Sequence, residues 1–95
     1  MTYLDDLAQE IQRETPAELI PTDDAMPLFR LYAVLVLAKG VDVSPADVHN
    51  AWSAWMVDRD PHHRSLRPFD ELEASVQESD EPFVAAIRRV AKRIR

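Results

Sequence analysis

The chain has 95 residues, seventeen of them acidic and eleven basic, giving a formal charge of −6, and it has no cysteine. That length suits a single domain, and an apolar fraction of 46% is ordinary for a globular chain and too high for a disordered one. Disulfides, thiolate metal sites and cysteine nucleophiles are excluded, and the most apolar run, residues 28–38, is broken by Arg30 and far short of the ~20 residues that cross a bilayer.

In chain order, the first helix is expected at Tyr3–Glu14. Leu4, Leu7, Ala8 and Ile11 fall on one face, and Asp5, Asp6, Glu10 and Arg13 face water. Thr15 followed by Pro16 stops it and starts a single turn through Leu19. After Pro21, Asp23 or Asp24 is placed to cap a second helix at Ala25–Lys39, whose Pro27 falls in the first turn where amides lack intrahelical partners anyway. That helix is apolar nearly all round, which predicts a central element covered on most sides. Gly40 supplies the left-handed residue that closes it.

Ser44-Pro45-Ala46-Asp47 is a helix-start signature, with a hydroxyl for an orphan amide, proline at the first helical position and an acid at the third. Val48, Ala51, Trp52, Trp55 and Met56 then repeat at helical spacing, and Pro61 ends the third helix near Arg59. Residues 60–79 form a long irregular connection, which in a compact domain signals either function or an unrecognised helix, and residues 71–78 are the place for one. Leu66, Phe69 and Leu72 anchor it, with one helical turn at 68–72. Ser79 or Asp80 caps the last helix, where Phe83, Val84, Ile87, Val90, Ala91 and Ile94 form the apolar face. The sum is an all-α, four-helix domain over residues 1–95 with a long irregular connection before the last helix.

Charge is uneven. Five basic residues lie in the last eight positions, so the first 87 residues carry six basic and seventeen acidic side chains, a net −11. A duplex-binding face needs more positive charge than this, so nucleic acid is not expected as a partner. The C-terminal cations are explained by a helix end whose dipole they complement.

Catalytic chemistry is not signalled. No carboxylate sits inside an apolar run, no serine has a glycine-flanked elbow, and one glycine is too few for a phosphate-cradling loop. His49, His62 and His63 lack metal-ligand spacing, so neither a metal nor a cofactor is expected. His49 reads as a helix-surface residue beside Trp52 and Trp55. The two tryptophans share a stripe that serves the core or, alternatively, forms an aromatic wall for a partner or a planar ligand. Residues 62–67 make a small basic island, with Arg64 and Arg67, where an anion can dock.

From Val48 onward the chain resembles the RyR repeat, named after the ryanodine receptors and also found in bacterial and phage proteins. His49 and Trp52 match its His-acid-x-Trp motif, with Asn50 in the acid's place. His63, Leu66, Pro68, Phe69 and Leu72 match its His-Pro-x-Leu-x-Pro-aromatic-x-x-Leu motif, with Arg64 replacing the first proline, and Asp80 falls at its aspartate. The repeat's Gly-Trp-x-Tyr-Gly segment is absent. The whole chain also resembles small proteins of actinobacteria and their phages.

The resemblance implies a helical recognition module without catalysis. The expected function is binding of a protein partner or a small anionic ligand near His49, Trp52, His63, Arg64, Arg67 and Phe69, in a cytoplasmic protein, since no basic-then-apolar leader opens the chain. The alternatives are a homodimeric or other assembly protein joined through apolar helix faces and, third, an acidic inhibitor that imitates nucleic acid.

Overall fold

A computed structural model describes residues 2–94. Four long helices carry the fold: α1 (Tyr3–Glu14), α2 (Ala25–Lys39), α3 (Pro45–Arg59) and α5 (Glu81–Arg93), with a five-residue α4 (Ala74–Glu78) between the last two. Single 3-10 turns at Ala17–Leu19, Gly40–Asp42 and Phe69–Glu71 bend the connections, and no strand occurs among the described residues.

Two capping boxes fix helix starts. At α1, Thr2 Oγ1 accepts from the Asp5 amide at 3.3 Å while the Asp5 carboxylate accepts from the Thr2 amide at 3.0 Å. Ser44 and Asp47 repeat the arrangement at α3. Gly40 closes α2 at φ +58°, a conformation that costs a side-chain-bearing residue strain. Asp24 behaves differently from its expected role. It occupies the N-cap position of α2 at φ +53°, but its side chain makes no cap bond and pairs with Arg59 at 2.8 Å instead.

Packing follows from the apolar stripes. Ala8 and Ile11 of α1, Val48 and Ala51 of α3, and Val84, Ile87 and Val90 of α5 close on Leu28, Phe29, Tyr32, Ala33 and Val36 of α2. Phe29 meets Tyr32 edge-on at 5.3 Å, and Tyr32 meets Phe83 at 5.5 Å. Arg30 Nε donates to Asp5 at 2.6 Å, tying α2 to α1. The C-terminal cations do more than complement a dipole: Arg89 and Arg93 both pair with Glu14 of α1, and Arg88 donates to the Val43 carbonyl at 2.8 Å.

α2 is central but less covered than its composition predicts. Val34 is 46% exposed and Leu37 53%, and Leu37 joins Ile94 along a shallow groove. The cause is geometric: three neighbours, α1, α3 and α5, cannot enclose a helix on every side.

Residues 60–73 are irregular yet tied down by hydrogen bonds. The His63 amide donates to the Asp60 carbonyl, the Leu66 amide to the His63 carbonyl and the Leu72 amide to the Phe69 carbonyl. Leu72 is buried, while Leu66 and Phe69 are half-buried. Gln77 of α4 donates to the Phe69 carbonyl at 2.8 Å, so the short helix clamps the segment.

Candidate functional site

The first two turns of α3 set the site. His49 follows Val48, whose side chain is fully buried, and the chain that wraps back over α3 covers His49 to 3% exposure. This corrects the reading of His49 as a helix-surface residue. Its Nε2 lies 2.7 Å from the Arg67 carbonyl, which can only accept, so that nitrogen carries the proton. Ser53 Oγ sits 3.4 Å from the same nitrogen. No hydrogen bond to Nδ1 is formed among the described residues.

A chain of rings continues from His49. Trp52 stacks on it at 5.6 Å with the planes 22° apart, Phe69 lies 6.2 Å away on the other element, and His63 meets Trp52 edge-on at 5.1 Å. His63 is oriented by its own turn, with Nδ1 accepting from the Ser65 amide at 3.0 Å. The four ring residues singled out in the sequence therefore do come together.

Trp55, three residues on from Trp52, has a structural role. Its ring is nearly buried, its indole N–H donates to the Asp24 carbonyl at 3.1 Å, and the Arg59 guanidinium stacks on it at 4.1 Å. Asp24 is thus held by backbone and side chain together at the mouth of α2.

These elements enclose a cleft of about 290 Å³ lined by Tyr32, His49, Trp52, Trp55, Phe83 and Asp80 together with Leu19, Pro21, Leu28, Ser65, Val76 and Ser79. Its walls are aromatic and its polar groups few, which is how small-molecule sites are built. The Arg64 and Arg67 side chains are exposed and line a separate groove with Glu73 and Ser75, which shares only Ser65 and Val76 with the cleft. Arg67 contributes to the cleft through its backbone carbonyl, not through its charge.

Tyr32 and Asp80 were not legible as site residues. Tyr32 is buried to 1% in the helix that is apolar throughout, and burial, with the Asp80 charge added, pushes its hydroxyl above the ordinary phenol range. Asp80 reads in sequence as a cap, outside any apolar run that would mark it as buried; the structure half-buries it. Burial pushes its carboxyl up to about 6, with nearby Glu81 adding to the rise and His49 opposing it. Asp5 is buried as well. Bonds from the Thr2 amide and from Arg30 hold it down to about 2.

Among the described residues no group of three or more His, Asp or Glu side chains is placed to hold a metal ion, and no helix is long and apolar enough to cross a membrane.

The fold and cleft define a small all-α domain with one aromatic-walled recess between α2, α3 and the start of α5. Residues 2–92 match the model of DUF7701, a domain of unknown function, and the chain belongs to that family. Comparison with curated proteins and with solved structures gave no significant match.

Proposed function

We propose that this domain is a recognition module without catalytic activity, whose ligand is a small organic molecule or a single side chain of a partner seated in the cleft. The observation that carries this reading is the convergence of Tyr32, Trp52 and Phe83 around His49 and Asp80 in about 290 Å³. The RyR-repeat resemblance supports it, because the motif residues His49 and Trp52 line the cleft and His63 and Phe69 back them through ring contacts from outside it. The basic island that suggested an anionic ligand faces the adjacent groove, so it does not select what enters the cleft.

The test is a fragment screen read by tryptophan emission and thermal shift, repeated on Trp52→Ala and His63→Ala. Trp52 is only half-buried, so its removal is expected to abolish cleft hits while leaving a cooperative melt. Hits that persist in both variants, or a chain that no longer folds without Trp52, would refute the reading.

A second reading, self-association, has its own observation: Val34, Leu37, Val41 and Ile94 are each more than a third exposed. Sedimentation equilibrium across a hundredfold dilution decides it, and a monomer at every concentration removes it.

A further inference from the structure

We infer that the cleft is a site for an organic cation, an alkylated ammonium group seated against the Asp80 carboxylate between the Tyr32, Trp52 and Phe83 rings. The inference rests on the reading of the cleft as a ligand site and specifies the ligand's charge.

The first observation is what Asp80 does not do. It stands at the N-cap of α5, where an aspartate ordinarily turns its carboxylate onto the free amides of the first turn. Here the Asp80 backbone is helical (φ −83°, ψ −16°), so its carbonyl accepts from the Phe83 and Val84 amides at 3.1 Å while its side chain stays off those amides and lines the cleft.

The second is a contrast among half-buried or buried carboxylates. Asp5 is matched by Arg30, Asp47 by Lys39, and Glu14 by Arg89 and Arg93. Among the described residues Asp80 has no ion pair and no side-chain hydrogen bond, and no lysine or arginine lines the cleft around it. A carboxylate withdrawn from water without a cation is costly, and a ligand that brings the missing charge recovers that cost.

The third is the wall chemistry. Ring faces attract cations, best where water is excluded, and a cage of aromatic rings with one carboxylate suits an ammonium whose surface is apolar. A bare metal ion is a poor fit, because hard cations require several oxygen ligands and the cleft offers one carboxylate beside hydroxyls.

The charged and titratable groups around Asp80 act in opposite directions. Tyr32 from α2 is neutral, Glu81 adds negative potential that favours a cation, and His49 from α3 opposes one when protonated. Asp80 itself ionises at about pH 6 in the empty cleft. Affinity for a cation therefore rises as pH increases through 6, and binding at that pH releases a proton.

The experiment compares three probes of one shape: choline, its uncharged carbon counterpart 3,3-dimethylbutan-1-ol, and the anion 3,3-dimethylbutanoate, each titrated against tryptophan emission and by calorimetry. Choline is expected to bind about tenfold more tightly than the alcohol at pH 8, a ratio worth ~1.4 kcal/mol. The ratio should shrink at pH 5 and approach one in Asp80→Asn. Equal binding of choline and alcohol to the wild type, or preferential binding of the anion, overturns the cation assignment while leaving the cleft as a ligand site. Silence from all three probes overturns both. The comparison in the wild-type chain stands on its own if the variant folds poorly.

Discussion

Replacing Asp80 with asparagine is expected to change how stability depends on pH, and the size of the change follows from where the carboxyl sits. Its value rises from 3.8 in an unfolded chain to about 6 in the fold, chiefly through burial. A displacement of that size corresponds to about 3 kcal/mol if the group were fully withdrawn from water, at ~1.4 kcal/mol per pH unit. Half-burial leaves solvent to screen the charge, so roughly half survives, about 1–1.5 kcal/mol. The sign is that of an acid whose neutral form the fold prefers: the contribution is present below pH 3.8 and lost as pH rises through 6. Asparagine mimics the neutral acid at every pH and lacks this dependence.

The assay is urea denaturation of both chains at about pH 4.5 and about pH 8, comparing midpoints, since the slope scales with exposed surface and is shared. The Thr2 and Arg30 partners of Asp5 are the same in both chains, so its contribution cancels in the difference. The unfolded carboxyl of Asp80 is already largely ionised at about pH 4.5. Relative to the variant, wild type should therefore lose about two-thirds of that contribution between the two pH values, roughly 0.7–1 kcal/mol, or somewhat under 1 M in urea midpoint for a domain of this size. Any improvement in capping by asparagine is independent of pH and shifts both points equally. Midpoints that move in parallel would refute the claim that Asp80 is an uncompensated, half-buried carboxylate.

Three further predictions follow from local geometry. Trp55→Phe keeps the ring but removes the N–H that donates to Asp24, and should cost about 1–2 kcal/mol in urea denaturation. Ser44→Ala removes the hydroxyl half of the α3 capping box and should cost about 1 kcal/mol, seen as a lower melting temperature. Asp5 is held down to about 2, so it stabilises the fold above pH 3.8 and that contribution is lost as pH falls toward 2. Asp5→Asn should therefore flatten the acid-unfolding curve followed by circular dichroism over that range, and an unchanged curve would contradict the Thr2 and Arg30 bonds.

The helices were legible because their ends are written locally. Pro16, Gly40, the Ser44 box and Pro61 each act on backbone within a turn, so no tertiary knowledge is needed to place α1, α2 and α3. Burial is a tertiary property, and there the sequence misleads. His49 carries no local sign that the Arg67 carbonyl folds back onto it from eighteen residues away. Tyr32 sits in a helix apolar on all sides, so its pattern cannot say which face opens onto a cleft. The same uniformity predicts cover for Val34 and Leu37, which three packing partners do not provide. Arg64 and Arg67 are adjacent in sequence to the site, but their side chains leave it, because the turn commits the Arg67 carbonyl inward.

The departures from local rule have a common address. Thr2 and Ser44 cap their helices, as their position dictates, and both lie outside the residues lining the cleft. Asp24 and Asp80 also stand at N-caps, but on left-handed (φ +53°, ψ +36°) and helical (φ −83°, ψ −16°) backbone respectively. Neither has the extended conformation from which Thr2 and Ser44 reach the first-turn amides, and neither side chain caps. Asp24 is drawn to Arg59, and its carbonyl to the Trp55 indole, which fixes one wall of the cleft. Asp80 turns into the cleft itself. Each of these helix starts therefore goes without the roughly 1 kcal/mol that a side-chain cap contributes. Folds tolerate such losses where side chains are committed to something other than stability, and here both commitments converge on the same recess.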